Sequence, residues 1–389
     1  VSEKIAVSSR ADETPPSGIV AVVKHGRGRE GLIPLWSGEG DLPTPAFIGE
    51  ATTRALEAGE TFYTWQRGVP ELREALSRYY ARLYAEPVPA ERVFVVGSGM
   101  QAIKLSIDLV TSPGDEVVYL TPAWPNFPAA AGVSGARTKA VPLTEENGAF
   151  SLDADRLAAS IGPHTRAIFV NTPANPTGWT ASREDLDALL ELARKHGLWI
   201  IADEIYARYY YGEGERAPSF LDVAHAEDRI LYVNSFSKNW SMTGWRIGWI
   251  VAPEAVGQQL ENLIQYSTSG VAPFLQRGAV AAVEEGEAVV RENIARAAHG
   301  RDVLCEALLA TNRVAMAKPA GAFYAFFAVD GITDTMAVAK DIIDRAGVGL
   351  SPGVAFGPGG ERFLRACFLR DPRQMKTAAE RLADYFSAL

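Results

Sequence analysis

Cysteine is nearly missing from this sequence: Cys305 and Cys367 are the only two in 389 residues. They lie far apart and show no CxxC or metal-ligand spacing. Neither a disulfide framework nor a metal site is expected, and buried, unreactive thiols in a reducing cytoplasm fit the scarcity. A surplus of positive charge is also lacking. Lysine and arginine number 38 against 47 aspartates and glutamates, a formal net charge of −9, with a sequence pI near 5.3. That balance argues against nucleic acid or an anionic membrane as the main partner, while leaving room for a local basic pocket that takes a small anion. No apolar run has the length a bilayer crossing requires, and the stretch 245–251 is only strand-sized. The amino end lacks the basic-then-apolar layout of a secretory signal. Internal repeats and low-complexity segments are absent too. What remains is a chain that is 47% hydrophobic and 22% charged, enough for a large core divided over more than one domain.

Residues 1–16 are polar and carry Pro15-Pro16, which reads as an arm or frayed start. Gly/Pro punctuation marks 37–45 as loop. Helical spacing follows near 45–58 and over 70–84, where Leu72, Leu76 and Tyr79/Tyr80 recur on one face. Short β-rich runs then come at 92–96, 116–120, 165–170, 199–202, 230–234 and 245–251, with helical segments between several of them. The clearest helix is 183–196, where Ser182 and Asp185 are placed as a capping box. This alternation predicts an α/β fold: a large domain with a mostly parallel sheet flanked by helices, whose ligands sit beyond the carboxyl ends of its strands. The last third changes character, with a long helix expected over 279–309, a β-rich run at 314–329, a strand at 362–369 and helices at 335–346 and 375–389. It is expected to form a smaller α/β domain. The expected division is 1–44 as arm and contribution to the small domain, 45–275 as the large domain and 276–389 as the small carboxyl-terminal domain.

Five segments, each just after an expected strand, carry candidate chemistry. In Ser235-Phe236-Ser237-Lys238, followed by Gly244-Trp245-Arg246, a lysine sits among hydroxyls and aromatics. Most lysines are solvated surface charges. One held in a partly desolvated site has a lowered pKa and can form a Schiff base, and two serines with an arginine suit a phosphate. In Asp203-Glu204-Ile205-Tyr206, a carboxylate leaves an apolar strand. It is either a helix N-cap or the partner of a protonated ring nitrogen. Asn171 to Gly178 contains Asn175-Pro176-Thr177-Gly178, turn chemistry that also presents a side-chain amide rigidly. Gly97-Ser98-Gly99-Met100-Gln101 opens a helix with exposed backbone N–H groups, an anion site of low specificity that lacks the GxGxxG dinucleotide fingerprint. Trp124, in Thr121-Pro122-Ala123-Trp124-Pro125-Asn126, is either core packing or a stacking platform.

Taken in this order, the segments resemble the class I aminotransferases, pyridoxal-phosphate enzymes of fold type I. The resemblance runs from about Gly38 to Arg365, and its specificity lies in six collinear motifs: GSGMQ, PAWPN, NPTG, DEIY, SxSK and GWR. It implies that Lys238 is the Schiff-base lysine and proton carrier and that Asp203 is the partner of the pyridine nitrogen. Tyr206 and Asn175 would bond the ring's phenolic oxygen, and Trp124 would stack on the ring. Ser235, Ser237 and Arg246, with Ser98 and the backbone N–H groups of Gly99 and Met100, would form the phosphate cup. Arg365, in Phe363-Leu364-Arg365, resembles the arginine that grips the substrate carboxylate, beside the backbone of Gly38 and near Trp124 and Asn175. Tyr63 resembles the tyrosine that reaches the neighbouring subunit's phosphate, which implies a homodimer with shared active sites.

The implied function is amino transfer from an L-amino acid to a 2-oxo acid, in the cytoplasm, without metal, nucleic acid or membrane. An alternative on the same scaffold is a β-eliminating carbon–sulfur lyase, which needs the same lysine, aspartate and arginine. A cofactor-binding regulator would need a DNA-binding module, for which the segment before Gly38 is too short. Two departures from the family pattern stand out. Gly40 replaces a common proline, which predicts a looser loop. Met100 stands where some aspartate-specific relatives place lysine or threonine, which puts a strict preference for dicarboxylic substrates in doubt unless Arg27, Arg67 or Arg208 compensates.

Overall fold

The structure, a computed structural model, describes residues 6–389. The part of the expected arm at 1–5 therefore lies outside the described residues. Its remainder holds a single helical turn, Ser9–Asp12, capped by the Ser8 hydroxyl.

Seven strands form the large sheet: β1 (Val93–Val96), β2 (Glu116–Thr121), β3 (Arg137–Pro142), β4 (Thr165–Asn171), β5 (Trp199–Asp203), β6 (Ile230–Ser235) and β7 (Gly248–Val251). They lie in the order β1-β7-β6-β5-β4-β2-β3. Only β7 runs antiparallel to its neighbours. Both faces of the central strands are buried, as a helix-covered parallel sheet requires. Val93 and Val95 point into one core while Phe94 and Val96 point into another, the period-2 alternation of a strand turned into two hydrophobic layers. The helix Arg183–His196 starts at the expected capping box and stops where Gly197 takes φ 65°. Buried Leu186, Leu189, Leu190 and Ala193 form its inner face.

A second, antiparallel sheet contains β8 (Val314–Ala315), β9 (Tyr324–Val329), β10 (Ser351–Pro352) and β11 (Phe363–Cys367), in the order β8-β9-β11-β10. Its core is shared with helices Glu287–Ala310, Thr335–Ala346 and Pro372–Ser387. Val22, Ile33, Leu35 and Trp36 join that core from the amino-terminal part. Ile33–Pro34 also pairs in parallel with Val348–Gly349. Tyr206 and Tyr209, which follow β5, pack there too, so the two layers meet just beyond the carboxyl end of β5.

Several expected elements differ in extent. The strand read over 245–251 begins only at Gly248, because Thr243–Trp245 is a 3-10 turn and Arg246 adopts φ 51°. The helix read over 279–309 is two helices, Pro273–Glu285 and Glu287–Ala310, broken at Gly286 but continuous through Gly300. The run 314–329 is strand only at its ends, since Pro319-Ala320-Gly321 turns away to pack on Pro173 and Gly178. The helix Gly18–Gly26, the edge strand β3 and the hairpin of Thr144–Glu146 with Ala149–Ser151 were not expected.

Candidate active site

The chemistry-bearing residues gather where β4, β5 and β6 end. Asn171 closes β4 opposite Asp203 at the end of β5. The Asn171 amide donates to the Asp203 carbonyl at 3.0 Å and accepts from Asn175 N at 2.8 Å. The Asn-Pro-Thr-Gly loop is thereby folded back over the strand ends. The turn after β6 carries Ser235, Ser237 and Lys238. From the second sheet, β11 contributes Arg365. A cavity of about 330 Å³ between these elements is lined by Gly38, Trp124, Asn175, Asp203, Tyr206, Lys238 and Arg365. Seven residues singled out from sequence thus share one space.

Two of them are buried charges of opposite sign without a counter-ion among the described residues. Asp203 is 4% exposed. The only donor to its carboxylate among the described residues is Ile205 N, at 3.3 Å. Burial pushes its carboxyl up to about 7, although the Ile205 N–H and the nearby Lys238 pull the other way. Arg365 is 2% exposed. It donates from Nη1 to Asn175 Oδ1 at 2.8 Å and from Nη2 to the Trp36 carbonyl and to Ser351 Oγ, and its Nε has no partner among the described residues. Isolated buried charges cost too much to hold without a partner, so both ends of the cavity are built for charged ligand atoms. Lys238 lines the same cavity, its Nζ donating to the Gly38 carbonyl at 2.6 Å. Burial lowers its pKa to about 8, which leaves a useful fraction neutral and nucleophilic near physiological pH.

The expected phosphate ligands form an adjacent group that does not line this cavity. Ser98 caps the helix Gly99–Val110 through a bond from Gln101 N at 2.9 Å, and the helix opens against Ser235 and Gly248. A Cβ at Gly248 would fall 2.9 Å from Gly99 N, so only glycine there lets the helix start approach the sheet. The Ser235 and Ser237 hydroxyls are 2.9 Å apart. Arg246 is exposed and bonds the Thr243 carbonyl at 2.6 Å. The start of that helix therefore meets the Ser235 and Ser237 hydroxyls, and backbone N–H groups at a helix start can take an anion. Tyr63 stands apart, 96% exposed.

Neighbours that the sequence reading passed over also shape the cavity: Ile19, Trp36, Glu39, Thr243 and Tyr324. Tyr324 carried a signal, being a polar-tipped residue at the start of the aromatic run 323–327. Ile19 and Trp36 carried none, because their segment looked like arm and loop. The arginines proposed to compensate for Met100 are elsewhere: Arg208 is paired with Glu287 at 2.6 Å, Arg67 with Glu261 at 2.7 Å, and Arg27 is exposed and outside the lining. Gly40 stands in the loop that lies against Leu369. Its neighbour Asp41 binds Arg296 at 2.9 Å and Asp371 N at 2.6 Å. The two thiols are buried, and burial raises the pKa of both.

Glu204, next to the site but turned away from the cavity, accepts from Ser219 Oγ at 2.8 and 2.7 Å and from Phe220 N at 3.2 Å. Burial nonetheless pushes its carboxyl up to about 7, from an ordinary 4.5. A folded-state pKa above the unfolded one gives stability that is complete below the unfolded value and lost as pH rises through the folded value. The protein without cofactor should therefore lose stability between about pH 4.5 and 7. Glu204→Gln, which keeps the shape and can still bond Ser219 and Phe220, should flatten that part of the profile. Thermal melts across pH check it, and a variant with an unchanged slope would reject the assignment.

Comparison with known proteins agrees with this geometry. Residues 30–382 match the family described as aminotransferase class I and II. The chain is 32% identical over 356 residues to an aspartate aminotransferase of Pyrococcus horikoshii, covering 91% of this chain and 90% of that protein. It is 34% identical over 369 residues to an arginine–pyruvate transaminase of Pseudomonas aeruginosa, covering 93% and 92%. Among solved structures, a single mutant of Thermus thermophilus aspartate aminotransferase superimposes with a TM-score of 0.90 at 32% identity, covering 98% of this chain and all of that one.

Proposed function

The chain belongs to the class I and II aminotransferases, enzymes that move an amino group between an amino acid and a 2-oxo acid, and from that premise we propose that it does so on pyridoxal 5'-phosphate held by Lys238, with neutral L-amino acids as its preferred donors. The observation that carries the reading is a pair of buried charges, Asp203 and Arg365, neither with a counter-ion bonded to it among the described residues, lining one cavity with a desolvated lysine.

Those residues fit the cofactor. Asp203 lacks the cation that a protonated ring nitrogen would supply, Tyr206 and Asn175 offer groups for the phenolic oxygen, and Trp124 offers a flat face. The group at Ser98, Gly99, Met100, Ser235, Ser237 and Arg246 would take the phosphate. When bound, pyridoxal phosphate supplies an aldehyde that bonds amines and a ring that accepts the electrons of the substrate's Cα–H bond. Once the substrate's amine has displaced it, Lys238 Nζ would be free to move a proton between the substrate's Cα and the cofactor's aldehyde carbon, a transfer for which a pKa near the working pH is well matched. Arg365 fixes the substrate's carboxylate and so orients its Cα.

The donor preference rests on the lining. Its charged side chains are Glu39, Asp203, Lys238 and Arg365. If Arg365 and Lys238 serve the α-carboxylate and amine, no described cation in the lining remains for a second carboxylate, and Glu39 would repel one. The two relatives named above differ in their named substrates at similar identity, so likeness alone does not choose. We read the enzyme as a homodimer. Phe62, Tyr63 and Trp65 are 82%, 96% and 69% exposed on one loop, with Tyr266 at 89%, an apolar surface suited to an isologous contact. The loop would bring aromatic and hydroxyl groups to the partner's site. A division near 44/45 and 275/276 would make the cavity a seam, with Lys238 and Asp203 on one side and Gly38 and Arg365 on the other.

The test uses single amino acids with holoenzyme and no oxo acid. Neutral donors should release their 2-oxo acids once per site and then stop, and aspartate and glutamate should react more slowly. Release by none would refute amino transfer on this site. Continuous pyruvate and ammonia from cysteine or cystathionine would favour the lyase, and faster reaction of the dicarboxylic donors would reject the donor preference.

A further inference from the structure

We propose that Tyr324 is a positioning residue that fixes the direction of the Tyr206 hydroxyl proton and joins that hydroxyl to the carboxylate-binding arginine. The inference rests on the reading of Tyr206 as the partner of the cofactor's phenolic oxygen. Tyr324 opens β9 and is fully buried. Its hydroxyl lies 2.7 Å from that of Tyr206, and the two rings meet edge to face at 5.6 Å. A hydroxyl has one proton to give. If Tyr206 donates outward into the cavity, the Tyr206–Tyr324 contact must run the other way, with Tyr324 donating to the Tyr206 oxygen. A hydroxyl that accepts one such bond donates a stronger one.

The same ring has two further contacts. The Arg365 guanidinium lies over its face, with Cζ 4.5 Å from the centroid. A Cβ at Gly38 would fall 2.5 Å from the Tyr324 hydroxyl, so the glycine leaves the space that this hydroxyl occupies, beside the carbonyl that accepts from Lys238. One aromatic residue therefore touches the group proposed for the phenolic oxygen, the group proposed for the substrate carboxylate and the backbone that holds the lysine. Burial raises the pKa of the Tyr324 phenol although Arg365 pulls the other way, so the hydroxyl keeps the proton it gives to Tyr206 while its ring braces Arg365.

The test is a pH titration of the visible absorbance of the holoenzyme without substrate, for wild type, Tyr324→Phe, Tyr206→Phe and the double variant. A donor to the phenolic oxygen favours the form carrying more negative charge there and so lowers the apparent pKa. Tyr206→Phe should raise it. Tyr324→Phe, which keeps the ring and its contact with Arg365, should raise it by a smaller amount, below about one pH unit, since a single hydrogen bond is worth about that much. The double variant should match Tyr206→Phe, because Tyr324 acts through Tyr206. Circular dichroism should show all four folded alike. A titration of Tyr324→Phe that matches wild type, or shifts that simply add in the double variant, would overturn the inference. If Tyr206→Phe itself leaves the titration unmoved, the reading of Tyr206 falls as well, which separates the two failures.

Discussion

Lys238→Ala should lose the covalent cofactor signature and at least about 10⁴-fold in turnover, because two functions leave with one amine. The first is attachment, for which Lys238 is placed by its short turn after β6 and by its bond to the Gly38 carbonyl. The second is proton transfer, for which burial sets its pKa to about 8. The variant should not be a folding failure. A desolvated amine costs stability at pH values where it is charged, so removing it should leave the melting temperature of the cofactor-free protein at or above that of wild type at pH 7. The truncated side chain leaves space beside Gly38, and added small primary amines should restore part of the proton transfer. Mass spectrometry of the borohydride-reduced protein reads the attachment, and single-turnover kinetics read the transfer. A reduced adduct still present in the variant would move the attachment to another lysine. Loss of melting temperature without amine rescue would make the role structural.

Legibility in the sequence followed locality. Every large-sheet strand read from sequence appears because a strand buried on both faces leaves a dense apolar run, as in Val93–Val96. β3 escaped because Arg137 and Lys139 are exposed and the run Arg137–Pro142 is mixed. Gly286 marked a real helix break and Gly300 did not. The Gly300 backbone is pressed against the Phe368 carbonyl, so that glycine answers a packing need in space that no spacing rule reports. Arg246 read as strand because its left-handed backbone is imposed by the turn around it. The site was legible where a residue follows a strand: Asp203, Asn175 and Lys238 could be placed from the chain alone. Ile19, Trp36 and Tyr324 could not, since they reach the cavity only after residues 18–36 and β9 assemble into the second core.

That assembly also explains why no single segment carries the chemistry. Arg365 comes from β11 and is bonded by Asn175 from the loop after β4, across 190 residues of sequence. Tyr206 is locked to Tyr324 across 118. Tyr206 leaves the large sheet yet packs in the second core, so the relative placement of the two layers sets the distance between the proton carrier and the carboxylate grip. A misfit of even an ångström there is costly when the reaction depends on orientation.

Asp203→Asn should separate catalysis from stability more sharply than any other change at this site. The asparagine keeps the shape and can still accept from Ile205 N, while the charge is lost. Without it the ring nitrogen has no anion to keep it protonated, and turnover should fall by about 10² to 10⁴, the range over which placed charges and proton-transfer groups act. Attachment through Lys238 should persist, so the visible band remains while the reaction stops. Stability should move the other way. Burial holds the Asp203 carboxyl at about 7 in the protein without cofactor, against an ordinary 3.8. Its contribution is complete below the ordinary value and lost as pH climbs through 7. Cofactor-free Asp203→Asn should therefore melt above wild type at pH 8 and lose that advantage toward pH 4. Adding cofactor should raise the wild-type melting temperature by more than that of the variant, because only the wild type holds a carboxylate that the ring's cation can satisfy. A variant that melts lower than wild type at pH 8 and turns over within a few fold of it would place the buried carboxylate in the scaffold and remove it from the chemistry.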